Sequence, residues 1–504
     1  MLFSRAMKVF LSTLGCKLNE SELEAWARKF GAEGYTIVDD PQDADLVVLN
    51  TCTVTHVAAR KSRQTARQLA RANPQAKLVI TGCYVSVSPD EAQALPNVAL
   101  IVPNINKDQL VALAGDLLGD VRFQTTETGC RLPEAVSGEL QSSAVSRQSS
   151  DNRLWSADGG NAQFAMRNLQ LRTRAFVKIQ DGCNMSCTYC IIPLARGKEH
   201  SRPLGEIVNE VRSLVNAGYQ EIILTGVQIS SFRNVIASAE GAKQSPSYLE
   251  SATSQKTLLT MTYSLRDLVA AILAETNVPR LRLTSIAPWD LDEALLELFN
   301  DPRLCRHLHL SLQSGADTVL RRMRRPYTTA QFARAVELAR EKIPDIGITT
   351  DVIVGFPGES DTEFEQSLHF VERMQFSRVH VFPYSIREGT LAASLPLQVD
   401  DRTKAVRMKQ MQAVADTSLR AFAQRFIGKE MMVLWESKDE RRTTDDRFTS
   451  VLGHSSSVWF GYTDNYIRVL APSEDDLHNH ITAVRLIKTI DDGVIGEVIQ
   501  KYPK

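Results

Sequence analysis

The chain has 504 residues, of which 43% are apolar and 23% charged, with a formal net charge of −1 at pH 7. That length accommodates two to four domains, and that apolar share builds ordinary globular cores. No apolar run approaches the roughly 18 residues of a membrane span, and eight cysteines in so long a chain argue against a disulfide scaffold and for a reducing cytoplasm. The segment Met1–Phe10 carries two basic residues and no signal-peptide core, and Met7 is an alternative start.

The first block holds three apolar runs that each end on a cysteine: Lys8–Cys16, Ala44–Cys52 and Lys77–Cys83. Such short Val-, Ile- and Leu-rich runs, alternating with helical stretches such as Glu20–Phe30, predict a parallel α/β sheet. Ligands of such sheets bind outside the carboxyl ends of the strands. Cys16, Cys52 and Cys83 are therefore expected to converge at one edge. A single cysteine there reads as a buried structural thiol. Three at equivalent positions point to an Fe–S or zinc site.

Behind Cys52 the stretch Val57–Arg71 predicts a helix with Arg60, Arg63, Arg67 and Arg71 along one face. The bland reading of that stripe is a solvated face, and the competing one is a phosphate-binding face. From Gly129 to Asn168 the chain turns polar and small, as in Gln141–Ser150, which is linker composition. Cys130 opens that stretch and is taken as a bystander.

Asp181-Gly-Cys183-Asn-Met-Ser-Cys187-Thr-Tyr-Cys190 follows the apolar run Ala175–Ile179. Three thiolates at this pitch can hold three irons of a [4Fe–4S] cube and leave the fourth open. The alternative, a zinc knuckle, wants a second close cysteine pair or histidines, and the next histidine is His200. Strand-like runs then alternate with helical ones: Ala175–Ile179, Glu221–Val227, Arg280–Ile286, His307–Leu312, Thr349–Val354 and Val379–Tyr384. Six such units predict a partial β/α barrel. Asn234–Thr260 reads as a polar surface insertion, Cys305 as a core thiol, and the basic run Arg321–Arg325 as a solvated helix end unless it lies on the substrate face. The last block, Arg425–Lys504, has short strands without helices and turn residues at Gly493–Gly496, which predicts a small antiparallel barrel. Tyr462 and Tyr466 lie on its loop, either as core or rim residues or as platforms for stacked bases.

The CxxxCxxC spacing resembles the signature of the radical S-adenosylmethionine (SAM) superfamily. That resemblance implies an open iron that binds SAM and a 5′-deoxyadenosyl radical released by one-electron cleavage. With three cysteines ahead of it and a small barrel behind, the chain resembles the methylthiotransferases. The motifs that carry this are Leu14-Gly-Cys-Lys-Leu-Asn19, Asn50-Thr-Cys-Thr-Val-Thr55, Thr81-Gly-Cys83 and Gly461-Tyr-Thr-Asp-Asn-Tyr466. The resemblance implies an α/β chain with an N-terminal methylthiotransferase domain over 7–128, a radical-SAM domain over 169–424 and a TRAM-like RNA-binding domain over 425–504. The polar linker over 129–168 and the insertion at about 234–260 depart from a compact family member. The resemblance further implies two [4Fe–4S] clusters, one on Cys183, Cys187 and Cys190 and an auxiliary one on Cys16, Cys52 and Cys83. SAM would meet Thr225, Gly226, Gln313, Asp351 and Gly355, although Asp351 and Gly358 depart from the family's pattern on that strand. RNA would meet Arg60, Arg63, Arg67, Tyr462 and Tyr466.

Within the family, Thr13–Asn19, Gln180–Cys183, Cys190–Gly197 and Met323–Thr328 look most like the MtaB branch. Its substrate is N6-threonylcarbamoyladenosine at position 37 of tRNA. The expected partners are a tRNA anticodon stem-loop, an electron donor and a sulfur source, in the cytoplasm. The alternatives are the same chemistry on isopentenyl-adenosine tRNA or on a ribosomal protein, and, from another class, a non-catalytic Fe–S RNA-binding protein.

Overall fold

The computed structural model describes residues 6–119, 164–165, 173–236, 261–438 and 457–499. The expected linker at 129–168, with Cys130, and the expected insertion at 234–260 lie outside the described residues. The exceptions are Phe164–Ala165 and the end of the strand Arg233–Ile236.

The N-terminal sheet has five parallel strands, β1 (Lys8–Thr13), β2 (Thr36–Ile37), β3 (Leu46–Thr51), β4 (Lys77–Gly82) and β5 (Val98–Val102), in the order β2-β1-β3-β4-β5, and the short strand Phe164–Ala165 pairs antiparallel with β1. Its strands read as unbroken apolar runs because both faces are covered. Val9, Leu11, Leu46 and Val48 pack with Leu23, Trp26 and Phe30 of α1 (Lys17–Ala32) on one side. Phe10, Val47, Leu49 and Ile80 pack with Ala66 and Leu69 of α2 (His56–Ala72) on the other. Each of the three apolar runs ends in a turn at the same sheet edge, as the alternating pattern predicts.

The central region holds six parallel strands in two triplets. Arg280–Leu283, Glu221–Thr225 and Arg174–Lys178 form one, and His307–His309, Gly347–Val354 and Arg378–Pro383 the other. The bridge Ile286–Leu310 joins the triplets into one partial barrel. Its open edge at Arg174–Lys178 is closed by α1, where the Phe176 amide donates to Glu24 at 3.3 Å and Arg28 pairs with Glu210 at 2.7 Å. The N-terminal domain therefore completes the wall of the second domain's barrel.

The C-terminal strands Glu430–Lys438, Val458–Thr463, Arg468–Pro472, Gly493–Val498 and Ile481–Ile490 close into a barrel. Two expectations need correction here. Gly493–Gly496 lies inside a strand, and the barrel is not wholly antiparallel, since Arg468–Pro472 and Gly493–Val498 run parallel. The reason is that Ile481–Ile490 stands between them in sequence and returns the chain in the original direction. The turn after Val458–Thr463 docks on the starts of the central strands. Fully buried Arg282 donates to the Asp464 carbonyl at 3.0 Å, and the Asn465 side-chain Nδ2 donates to the Asp345 carbonyl at 3.1 Å. Gly347 leaves room for this contact, because a Cβ there would stand 2.2 Å from the Asn465 oxygen.

Candidate active site

Cys183, Cys187 and Cys190 occupy the loop after strand Arg174–Lys178, at the carboxyl end of the barrel. Two features shape that loop. Gln180–Asp181 pairs with His200–Ser201, and the Cys183 amide donates to the Gly197 carbonyl at 3.1 Å. Gly182 takes φ +69, and a Cβ there would stand 2.1 Å from the Lys198 oxygen, so only glycine fits. Burial pushes the Cys190 thiol up to about 12, so without a metal this sulfur stays protonated at neutral pH.

Cys16, Cys52 and Cys83 come together as the strand pattern predicts. A Cβ on Gly15 would stand 2.9 Å from the Cys52 sulfur, and one on Gly82 would stand 2.3 Å from the Thr51 carbonyl. Among the described residues no three His, Cys, Asp or Glu side chains are close enough to share one metal ion. In a cube each thiolate binds a different iron, which spreads the sulfurs further apart than around a single zinc.

A buried charge network ties the two cysteine loops together. The Arg196 guanidinium donates to Glu22 at 3.0 Å, to Asp181 at 2.9 Å and to the Asn19 side-chain oxygen at 2.6 Å. Lys107 adds a second cation on Glu22 at 2.5 Å. Glu22 and Asn19 follow Cys16 on α1, while Asp181 precedes Cys183, so one guanidinium sets the spacing of both loops. These cations hold the Glu22 and Asp181 carboxyls below their ordinary range against the opposing effect of burial. Asn104 makes a second tie, to the Cys83 sulfur at 3.6 Å and the Ala195 carbonyl at 2.6 Å.

Each cysteine set also has a cation with no carboxylate of its own. Arg325 lies against the rings of Trp289 and Tyr327 and donates to the Cys187 sulfur at 3.4 Å. Arg387 is 8% exposed, donates to Thr53 at 2.6 Å beside Cys52, and leaves its Nε without a partner. Neither makes an ion pair among the described residues. A guanidinium so buried needs an anion.

A profile described as the radical SAM superfamily matches residues 177–371, and one described as uncharacterized protein family UPF0004 matches 8–103. A threonylcarbamoyladenosine tRNA methylthiotransferase MtaB of Bacillus subtilis (strain 168) is 32% identical over 95% of this chain and 94% of its own. The protein of that name from Thermotoga maritima is 34% identical over 85% of this chain and 86% of its own. A tRNA-2-methylthio-N(6)-dimethylallyladenosine synthase of Thermodesulfovibrio yellowstonii is 29% identical over 86% and 89%. This chain belongs to the radical-SAM methylthiotransferase family. It is thus an enzyme, a transferase, and the cofactors of its family are SAM and [4Fe–4S] clusters. The residues present fit them, since thiolate clusters are the negative partners that Arg325 and Arg387 lack.

Other expected contacts of this methylthiotransferase fall differently. Thr225 is buried, with its carbonyl accepting the Ile179 amide at 2.9 Å. Gly226 gives room to Gln180, whose side-chain oxygen accepts the Val227 and Gln228 amides at 3.0 Å. Gln313 takes φ 72 and bridges to Val352, and Gly355 donates its amide to Glu359 at 2.6 Å. Asp351 opens on the barrel lumen and accepts from His309 at 3.2 Å. On α2, Arg60, Arg67 and Arg71 are exposed and make no ion pair among the described residues. Arg63 instead turns toward Tyr84, at 5.8 Å from its ring, and Glu91, at 3.5 Å.

Tyr462 and Tyr466 need a correction. Their rings stack on each other at 4.9 Å, with Arg174 5.0 Å from the Tyr462 ring and His307 4.6 Å from the Tyr466 ring. Both faces are occupied, so these side chains plug the base of the central barrel and leave no platform for a base. The run Arg321–Arg325 divides between the two readings: Arg321 and Arg324 are exposed, whereas Arg322 pairs with Glu363 at 2.7 Å and Arg325 faces Cys187. Residue patterns passed over Arg196, Arg387 and Lys17, although Lys17 and Arg196 stand inside motifs that carried the family resemblance.

Proposed function

We propose that this enzyme places a methylthio group on C2 of N6-threonylcarbamoyladenosine at position 37 of tRNA. The observation that carries the reading is the pairing of two cysteine loops through Arg196 at one barrel mouth, in a chain similar end to end to relatives named for that substrate. Cys183, Cys187 and Cys190 hold the cluster that binds SAM, and Cys16, Cys52 and Cys83 hold the auxiliary one. When bound, the clusters and SAM supply the electron, the methyl group and the sulfur. The chain's own residues fix the geometry. Arg196 and Asn104 set the distance between the loops, Arg325 and Arg387 balance the thiolate charge, and the stacked Tyr462–Tyr466 pair packs across the far end of the barrel. Arg60, Arg67 and Arg71 provide the exposed cations for tRNA phosphates. A cytoplasmic electron donor and a sulfur source complete the cycle. No helix among the described residues is long and apolar enough to cross a membrane.

Nucleoside mass spectrometry tests this directly. tRNA from a strain lacking its own methylthiotransferases and expressing this chain should gain 2-methylthio-N6-threonylcarbamoyladenosine. Gain of the isopentenyl counterpart alone would keep the chemistry and overturn the substrate.

A further inference from the structure

The lumen between the cysteine loops and the tyrosine plug is lined by charge, and its acids are taken. Asp351 is bound by His309 at 3.2 Å, Glu221 by Arg282 at 2.7 Å, and Glu436 by Arg174. One of its cations, on the N-terminal side, has no acid of its own among the described residues. Lys17 follows Cys16 at the start of α1, the helix that closes the open side of the barrel. Its ammonium lies 5.7 Å from the centre of the Tyr466 ring and makes no ion pair among the described residues. Its charge therefore sits inside the lumen, although the residue belongs to the N-terminal domain. A second polar group also lacks a partner there. His307 is 3% exposed, holds Thr349 at 3.1 Å through one ring nitrogen, and leaves Nδ1 unbonded. The local field is positive: Lys17, ahead of Arg174 and Arg282, draws the Tyr466 hydroxyl down to about 8.

We propose that this lumen is a carboxylate-binding subsite, in which Lys17 takes the carboxylate of the substrate base's N6 substituent. The inference rests on the substrate reading above and deepens it. A threonylcarbamoyl group ends in a carboxylate, whereas an isopentenyl group carries no charge and would leave Lys17 unanswered. A half-buried cation that meets its anion only in one substrate discriminates between them, because the wrong substrate leaves the site unpaired. Lys17 also adjoins Cys16, so the same turn that places a sulfur ligand places the specificity cation. The methionine carboxylate of SAM is the other carboxylate that enters this enzyme, and the test separates the two.

The test uses cluster-loaded enzyme and an anticodon stem-loop RNA whose threonylcarbamoyl group is either the free acid or its methyl ester. The native chain should bind the acid roughly tenfold or more tighter than the ester. Lys17→Gln should lose that preference and Lys17→Arg should keep it, with iron content and SAM affinity unchanged in both. A native chain that binds acid and ester equally overturns the proposal without any variant. So does a Lys17→Gln chain that still prefers the acid, or one whose only change is weaker SAM binding. A native chain that ignores the modification altogether would sink the substrate reading itself.

Discussion

Glu221 shows how single residues hold this enzyme's parts in register. It is fully buried, pairs with Arg282 at 2.7 Å, and is held at about 2, below its ordinary 4.5, because the surrounding arginines outweigh the cost of burial. A carboxyl depressed in the folded state stabilises it above the unfolded value, and that contribution disappears as pH falls through the folded one. The melting temperature should therefore drop as pH falls from about 4.5 toward about 2. Glu221→Gln leaves Arg282 buried and uncompensated, at a cost of about 3–5 kcal/mol. That variant should melt lower at pH 7 and show a shallower acid dependence. Equal pH slopes in the two chains would contradict this role for the pair.

Among the elements, the Cys183 loop depends most on a single glycine. Gly182→Ala drives a Cβ to 2.1 Å from the Lys198 oxygen, a backbone clash that must push the loop outward. Reconstituted Gly182→Ala protein should lose about half its iron, one cube of two, and with it SAM-dependent release of 5′-deoxyadenosine. Full iron with full release would refute the assignment. Both cysteine sets were legible in the sequence. A thiol is a distinctive donor, and strand ends in a parallel sheet are predictable from apolar runs alone. The arginines that serve those sets were not, because pairing across distant segments leaves no local trace. Arg196 meets Glu22 across 174 positions and Arg387 meets Thr53 across 334. The tyrosines of the C-terminal loop were misread for a similar reason. An aromatic pair on a polar loop suits a base or a docking seam equally, and Arg174, Arg282 and His307 decide which.

At the scale of the whole molecule, the central barrel is completed by its neighbours. α1 closes the central barrel from the N-terminal side, the tyrosine plug closes it from the C-terminal side, and Arg387 crosses back to Thr53 beside Cys52. The fold class was legible because each layer has its own apolar period. The seams were not, because they are built from charges that read as solvated surface. Central to the proposed function are two clusters held by two separate cysteine sets around one lumen. The most direct measurement is iron and acid-labile sulfide per chain after anaerobic reconstitution. It would compare the native protein with a triple Ala variant at Cys183, Cys187 and Cys190 and another at Cys16, Cys52 and Cys83. About eight irons are expected in the native chain and about four in each triple variant. Four irons in the native chain, or a triple variant that keeps all of its iron, would contradict that expectation.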